Sequence, residues 1–201
     1  MEKIRWGILG PGQIANKMAA ALCNLPDAEI AAVGSRREEA GREFAAKHGI
    51  PAVHCGYEAL AADPNVDAVY VATPHPFHKD AAILCLEAGK AVLCEKPFAV
   101  NARQAAEMIK KARENKVFLM EAMWTRFLPA IQKMKQLVAD HAVGQAKMLE
   151  ADFGFRAERN PHGRLFAPEL AGGALLAVGV YPVSLDSFLF GSPSRVASLA
   201  D

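Results

Sequence analysis

Through residue 122 the chain alternates short apolar runs with longer segments of helical spacing, and few folds accept that order. "KIRWGILG", "AEIAAVGS", "DAVYVAT", "KAVLCE" and "KVFLMEA" are rich in Val, Ile and Ala, as strands buried on both faces are. Between them, "GQIANKMAAALCNL", "REEAGREFAAKHG", "FHKDAAILCLEAG" and "NARQAAEMIKKAREN" repeat apolar residues every three or four positions. Gly49 is placed to close the second of these helices, and Asn101 to cap the fourth. Strand alternating with helix predicts an α/β fold: a doubly wound parallel sheet covered on both faces.

The rhythm changes after "MWTRFLP". A helix, "AIQKMKQLVADH", leads to Gly144, and "QAKMLEADFGF" then reads as a longer strand with partial alternation. A polar loop carrying Asn160, Pro161, Gly163 and Pro168 follows, then the helical "GGALLAVGVYPVSLDSFLFG" and one more short strand in "PSRVASLAD". The expected division is a first domain over 1–122 and the beginning of an α+β open-sheet domain over 123–201. One strand, one helix and a short strand leave exposed sheet edges, so this second domain reads as incomplete.

Directly after the first strand, "WGILGPGQIA" places Gly10, Gly12 and Ala15 in a G-x-G-x-x-A pattern that opens a helix. The first glycine permits a tight turn and the second lets a pyrophosphate approach the backbone. The small third residue lets the helix pack on the strand, and the helix N-terminus faces the anion. At the end of the second strand come Gly34, Ser35, Arg36 and Arg37, with no acid before Glu38. A carboxylate there would bind a ribose 2′-OH, whereas a hydroxyl and a guanidinium suit a 2′-phosphate. NADP is therefore expected in preference to NAD, with Ser35 and Arg36 reading the phosphate.

Composition narrows the remaining classes. A formal net charge of +1 gives no basic stripe for nucleic acid or an anionic membrane. No uninterrupted apolar run reaches the roughly 18 residues of a membrane span, and the N-terminus lacks the pattern of a signal peptide. Cys23, Cys55, Cys85 and Cys94 have neither metal-site nor disulfide spacing and are expected to be reduced, mostly buried thiols of a cytoplasmic protein. His75 and His78 lie three apart in "ATPHPFH", but no Cys or carboxylate lies near them and no metal is expected.

"VLCEKPF" puts Glu95 and Lys96 where a strand ends and Pro97 turns the chain, at the sheet edge where ligands of open α/β sheets sit. Together, "GILGPGQIA", "VATPHPFH", "AGKAVLCEKPFAVN", "MEAMWTRFLP" and "GGALLAVGVYP" resemble the glucose–fructose oxidoreductase/inositol dehydrogenase-type (Gfo/Idh/MocA) oxidoreductases. The "LCEKP" and "MEAMWTRF" segments look most like the dimeric dihydrodiol dehydrogenase and NADP-dependent xylose dehydrogenase branch. The resemblance implies a Rossmann domain, a C-terminal open-sheet domain that forms homo-oligomers, and hydride transfer between NADP(H) and a polyol, sugar or cyclic diol.

Carried over by position, the resemblance makes Lys96 the catalytic lysine and Tyr181 the general acid/base. A phenol is a poor base near neutral pH unless an ammonium stabilises its phenolate. It also implies that Thr73, Pro74, Glu95 and Lys96 touch the cofactor, and that Trp124, Arg126 and Phe153 line the substrate pocket; His78, just past a strand, is expected as a substrate-pocket or helix-start residue. Two departures stand out: Ala177 replaces an aspartate one helical turn before Tyr181, and the usual third glycine of a "GGG" run is altered, since the chain has Ala171, Gly172 and Gly173.

Overall fold

The computed structural model describes residues 3–199, which divide into two compact units, Met1–Ala122 and Met123–Asp201. In the first unit, six strands form one parallel sheet: β1 (Ile4–Leu9), β2 (Ala28–Ser35), β3 (Ala52–Cys55), β4 (Ala68–Val71), β5 (Ala91–Cys94) and β6 (Leu119–Glu121). Their spatial order is β3-β2-β1-β4-β5-β6. The direction of winding reverses between β1 and β4, so the switch-point crevice lies beyond Leu9 and Val71, which pair in register.

Five helices separate the strands: α1 (Gln13–Leu22), α2 (Glu38–His48), α3 (Tyr57–Ala61), α4 (His78–Glu87) and α5 (Ala102–Asn115). Side chains alternate across the sheet, and both faces are apolar. Ile8, Val33 and Tyr70 pack with Ala15 and Ala19 of α1 and Phe44 of α2. Leu9, Val69, Val71 and Val92 pack on the other face with Leu60 of α3, Leu86 of α4 and Met108 of α5. The local signals hold: Asn101 accepts a hydrogen bond from the Gln104 amide, and Gly49 ends α2 in the left-handed region at φ 69°.

Two elements were not foreseen. Strand β3 and helix α3 are only four and five residues long, too short to show a periodicity, and β3 is an edge strand paired on one side. The cysteine expectation needs correction as well. Cys85 and Cys94 are buried, and burial lifts the Cys85 thiol to about 12, but Cys23 and Cys55 are exposed.

In the second unit a 3₁₀ turn (Trp124–Phe127) leads into α6 (Pro129–Ala139). A further 3₁₀ turn (Pro168–Leu170), a π-helical segment (Leu175–Gly179) and α7 (Val180–Phe190) follow. Among the described residues this unit has no strand ladder. The strand expected over "QAKMLEADFGF" is absent, and so is the one over "PSRVASLAD", whose last two residues lie outside the described residues. A strand exists only when a neighbour satisfies its amides and carbonyls, and none is present here. Within Pro168–Phe190 an 18-residue window has a mean hydropathy of 1.6, and only 11% of that window is buried. By length and composition it meets the criterion for a membrane span, which inspection of uninterrupted runs had not shown.

Candidate functional site

Gly10 sits just past β1 at φ 93°, a region that side chains disfavour. A Cβ there would lie 3.0 Å from the Ala72 carbonyl carbon and oxygen, so the turn after β1 lies directly against the one after β4. A Cβ on Gly12, the N-cap of α1, would meet nothing within 4 Å. That open space lies in front of the first-turn amides of α1, which receive no side-chain cap. Ala15, on the inner side of α1, is fully buried against the sheet. Across the switch point, Thr73 is buried, and its hydroxyl has no hydrogen-bond partner among the described residues. Pro74 caps the 3₁₀ turn His75–Phe77 that follows. An open glycine cradle beside an orphaned buried hydroxyl fits a bound dinucleotide.

At the end of β2, Ser35 is buried and its hydroxyl accepts from the Arg37 amide. Arg36 is exposed, with its guanidinium carbon 5.0 Å from the centre of the Phe77 ring. It also hydrogen-bonds the Tyr57 side chain. Burial nevertheless raises the Tyr57 pKa, because it outweighs the pull of Arg36. Arg36 is thus a partly braced cation at the strand's carboxyl end, beside the loop that follows β4.

The loop after β5 is held at successive positions. Glu95 N–H continues the ladder to the Val71 carbonyl at 2.9 Å. The Glu95 carboxylate accepts from the Lys96 amide at 3.0 Å and from the Tyr70 hydroxyl at 2.5 Å. His78 contacts the Pro97 carbonyl at 2.8 Å, and the Phe98 amide donates to Glu121 at 3.0 Å. Lys96 therefore rises, half-buried, from a segment fixed by side chains of β4, α4 and β6.

His78 is fully buried, and its second nitrogen lies 2.8 Å from the Thr73 carbonyl. It is the first residue of α4, the helix-start place expected for it, and both ring nitrogens face main-chain carbonyls. Burial lowers its pKa below the ordinary 6.5 and outweighs the two carbonyls, which favour the cation. The folded chain thus refuses a proton that the unfolded chain accepts. The stability this contributes is whole above pH 6.5 and shrinks as the pH falls below it. Thermal melting should show a drop in midpoint between pH 7 and pH 5 that is smaller in His78→Gln; an equal drop in both proteins would refute this.

In the second unit, three of the expected residues meet. The Trp124 indole N–H donates to the Tyr181 hydroxyl at 3.2 Å, and the two rings stand edge to face at 6.3 Å. The Phe153 ring lies 5.0 Å from Tyr181. Trp124 is 54% exposed, so it is no core residue. Arg126 is held nearby: its guanidinium donates to the Ser184 hydroxyl and carbonyl and lies over the Phe188 ring. Phe153, Tyr181, Arg126 and Phe188 line a cleft of about 150 Å³. Ala177 is buried within the π-helical segment, so an aspartate there would carry a carboxylate out of water.

Sequence reasoning missed Tyr70 and Glu121. Tyr70 passes for an apolar strand position, and its partner is 25 residues away. Glu121 falls in the "MEAMW" segment, but nothing local signals that it binds the Phe98 amide. Among the described residues no cluster of His, Cys, Asp or Glu could hold a metal.

Comparison with known proteins completes the picture. Residues 4–123 match the oxidoreductase family with an NAD-binding Rossmann fold, and residues 131–201 match the GFO/IDH/MocA C-terminal domain. The chain is 44% identical over 200 residues to trans-1,2-dihydrobenzene-1,2-diol dehydrogenase of Mus musculus, covering 98% of this chain and 60% of the relative. The Homo sapiens protein of the same name is 45% identical over 198 residues, covering 96% and 59%. The chain thus spans about three-fifths of the length of these curated relatives. Among solved structures, a mutant of the 3-ketoreductase KijD10 from Actinomadura kijaniata, in complex with TDP-benzene and NADP, superimposes with a TM-score of 0.87. It is 31% identical and covers 94% of this chain and 58% of its own. The aldose–aldose oxidoreductase of Caulobacter crescentus, complexed with glycerol, gives the same TM-score at 28% identity, covering 94% and 58%. With the glycine turn, the lysine loop and both matched segments in place, the chain belongs to the GFO/IDH/MocA oxidoreductase family.

Proposed function

We propose that the chain binds NADP(H) and serves hydride transfer between the nicotinamide and a hydroxyl or carbonyl carbon of a sugar or cyclic diol. The carrying observation is the braced Lys96 loop at the same sheet edge as the Gly10–Gly12 cradle. When bound, the cofactor supplies the hydride acceptor or donor. The chain's residues do the rest. Gly10, Gly12 and the α1 amides receive the pyrophosphate, and Thr73, Pro74 and Glu95 border the nicotinamide side. Tyr181 takes or returns the proton of the substrate hydroxyl, and Lys96 supplies positive charge to that exchange. Trp124 and Phe153 give the ring of a diol or sugar an aromatic wall, and the names of the relatives support that substrate class. Self-association through the second unit belongs to the same reading and is supported by the exposed Leu175, Val183 and Phe190. Four free thiols support a cytoplasmic location.

A second reading, cofactor binding without turnover, is favoured by the buried Ala177 where the family resemblance implies an acid. A screen of NADP⁺ and NAD⁺ reduction against aldoses and cyclic diols separates the two. Reduction with any member supports the enzyme; tight binding with none supports the second reading.

Cofactor choice gives a sharper test. Calorimetry should show tighter binding of NADP⁺ than of NAD⁺. Arg36→Ala should cut that preference by about 10–100-fold, the worth of a charge-assisted contact to phosphate. Equal affinities in the parent would remove the argument.

A further inference from the structure

We propose that Tyr70 is a positioning residue for Lys96, acting through the carboxylate of Glu95; the role rests on the function proposed above. Tyr70 lies in β4 with 2% of its surface exposed, among Ile8, Val33 and other apolar side chains. A phenylalanine would serve that packing equally well. A hydroxyl buried there requires a partner, and it finds Glu95.

The sheet register produces the meeting. Tyr70 pairs with Leu93, and Glu95 lies two residues further on, so the two-residue period puts it on the Tyr70 face. Glu95 is itself buried, 9% exposed as a residue, and a buried carboxylate needs donors. Its two oxygens divide the work. Oε1 accepts from Tyr70, and Oε2 accepts from the backbone amide of Lys96. His78 and Glu121 hold the loop further on, at the Pro97 carbonyl and the Phe98 amide. Glu95 is therefore the side chain that grips the root of Lys96, and Tyr70 is what orients Glu95. Burial and then the charge of Glu95 push the phenol pKa upward, so Tyr70 stays a donor across the working range of pH.

The test is Tyr70→Phe, which keeps the ring and removes the donor. Amide hydrogen exchange by NMR on the intact chain reads the grip directly and needs no cofactor. Exchange of the Lys96 amide should accelerate about tenfold, as expected when one charge-assisted hydrogen bond loses its support, while the Val71 and Cys94 amides keep their rates. Glu95→Gln should accelerate the same amide, and the double variant should be no worse than Glu95→Gln alone, because the two residues act in series. For Tyr70→Phe, with NADP⁺ and a substrate from the screen, kcat should fall while cofactor affinity by calorimetry holds. Unchanged Lys96 exchange in both single variants overturns the proposal, whatever happens to the melting temperature. So does equal acceleration across β4 and β5, which marks Tyr70 as a core residue only. A parent that binds no NADP⁺ defeats the functional reading instead, and the exchange rates still decide this one.

Discussion

Tyr181→Phe should lose about 10²–10⁴-fold in turnover while binding NADP⁺ as the parent does, the usual worth of a general acid/base. The substitution is clean because the ring is held by its edges: Trp124 and Phe153 flank it, and both contacts survive removal of the hydroxyl. The Trp124 indole N–H would lose its acceptor, but Trp124 is largely exposed and water can replace it. Folding should therefore be unaffected, and steady-state kinetics with calorimetry will isolate the chemical step. Turnover equal to the parent's would reduce Tyr181 to a packed aromatic and end the catalytic reading of "GALLAVGVYP".

Lys96→Met should cost a comparable factor, about 10²-fold or more, because the side-chain stem remains and only the ammonium is lost. The tethers described for this loop use the Lys96 amide, the Pro97 carbonyl and the Phe98 amide, none of which the substitution removes. The loop should then keep its backbone tethers while kcat collapses. A variant that turns over at the parent rate would show that the braced loop presents its lysine for some purpose other than chemistry.

What could be read from the chain tracks how local each signal is. Gly10, Gly49 and Asn101 announce turns and caps through conformations or hydrogen bonds within a few residues, and each falls where expected. The parallel sheet was legible because five of its six strands alternate with helices of readable spacing. Strand β3 was not, since four residues between Pro51 and Gly56 carry no period. The failure over "QAKMLEADFGF" is of another kind: partial alternation is a property of the segment, but a strand is a property of a pair. The site divided along the same line. Positions along single motifs, such as Lys96 and Tyr181, came from the resemblance. The Tyr70–Glu95–Lys96 relay depends on register between two strands and left no mark in either.

Ala171 shows how a departure can be legible while its structural meaning is not. Its replacement of glycine is visible in the sequence, but only the backbone shows that it occupies a left-handed position at φ 54°. An alanine there costs about 1 kcal/mol relative to glycine. The next residue, Gly172, admits no side chain, because a Cβ would lie 2.8 Å from the Ala167 oxygen. The turn before Tyr181 therefore keeps its shape with one of its two tight positions filled by the less suitable residue.

The strand order also dictates a schedule. β1 is made first yet lies at the centre of the sheet, between β2 and β4. As the chain leaves the ribosome, β2 can cover one edge of β1 early, but the other stays bare until Ala68–Val71 has been synthesised. During that interval an apolar, unpaired strand edge is open to any partner that can extend a sheet. Arg5 and Asp67 meet at the seam where the delayed pairing begins, with the Asp67 carboxylate on both the Arg5 amide and its guanidinium. The contact closes the amino end of that late-formed pairing on the exposed side of the sheet, where an ion pair adds little beyond the ladder itself.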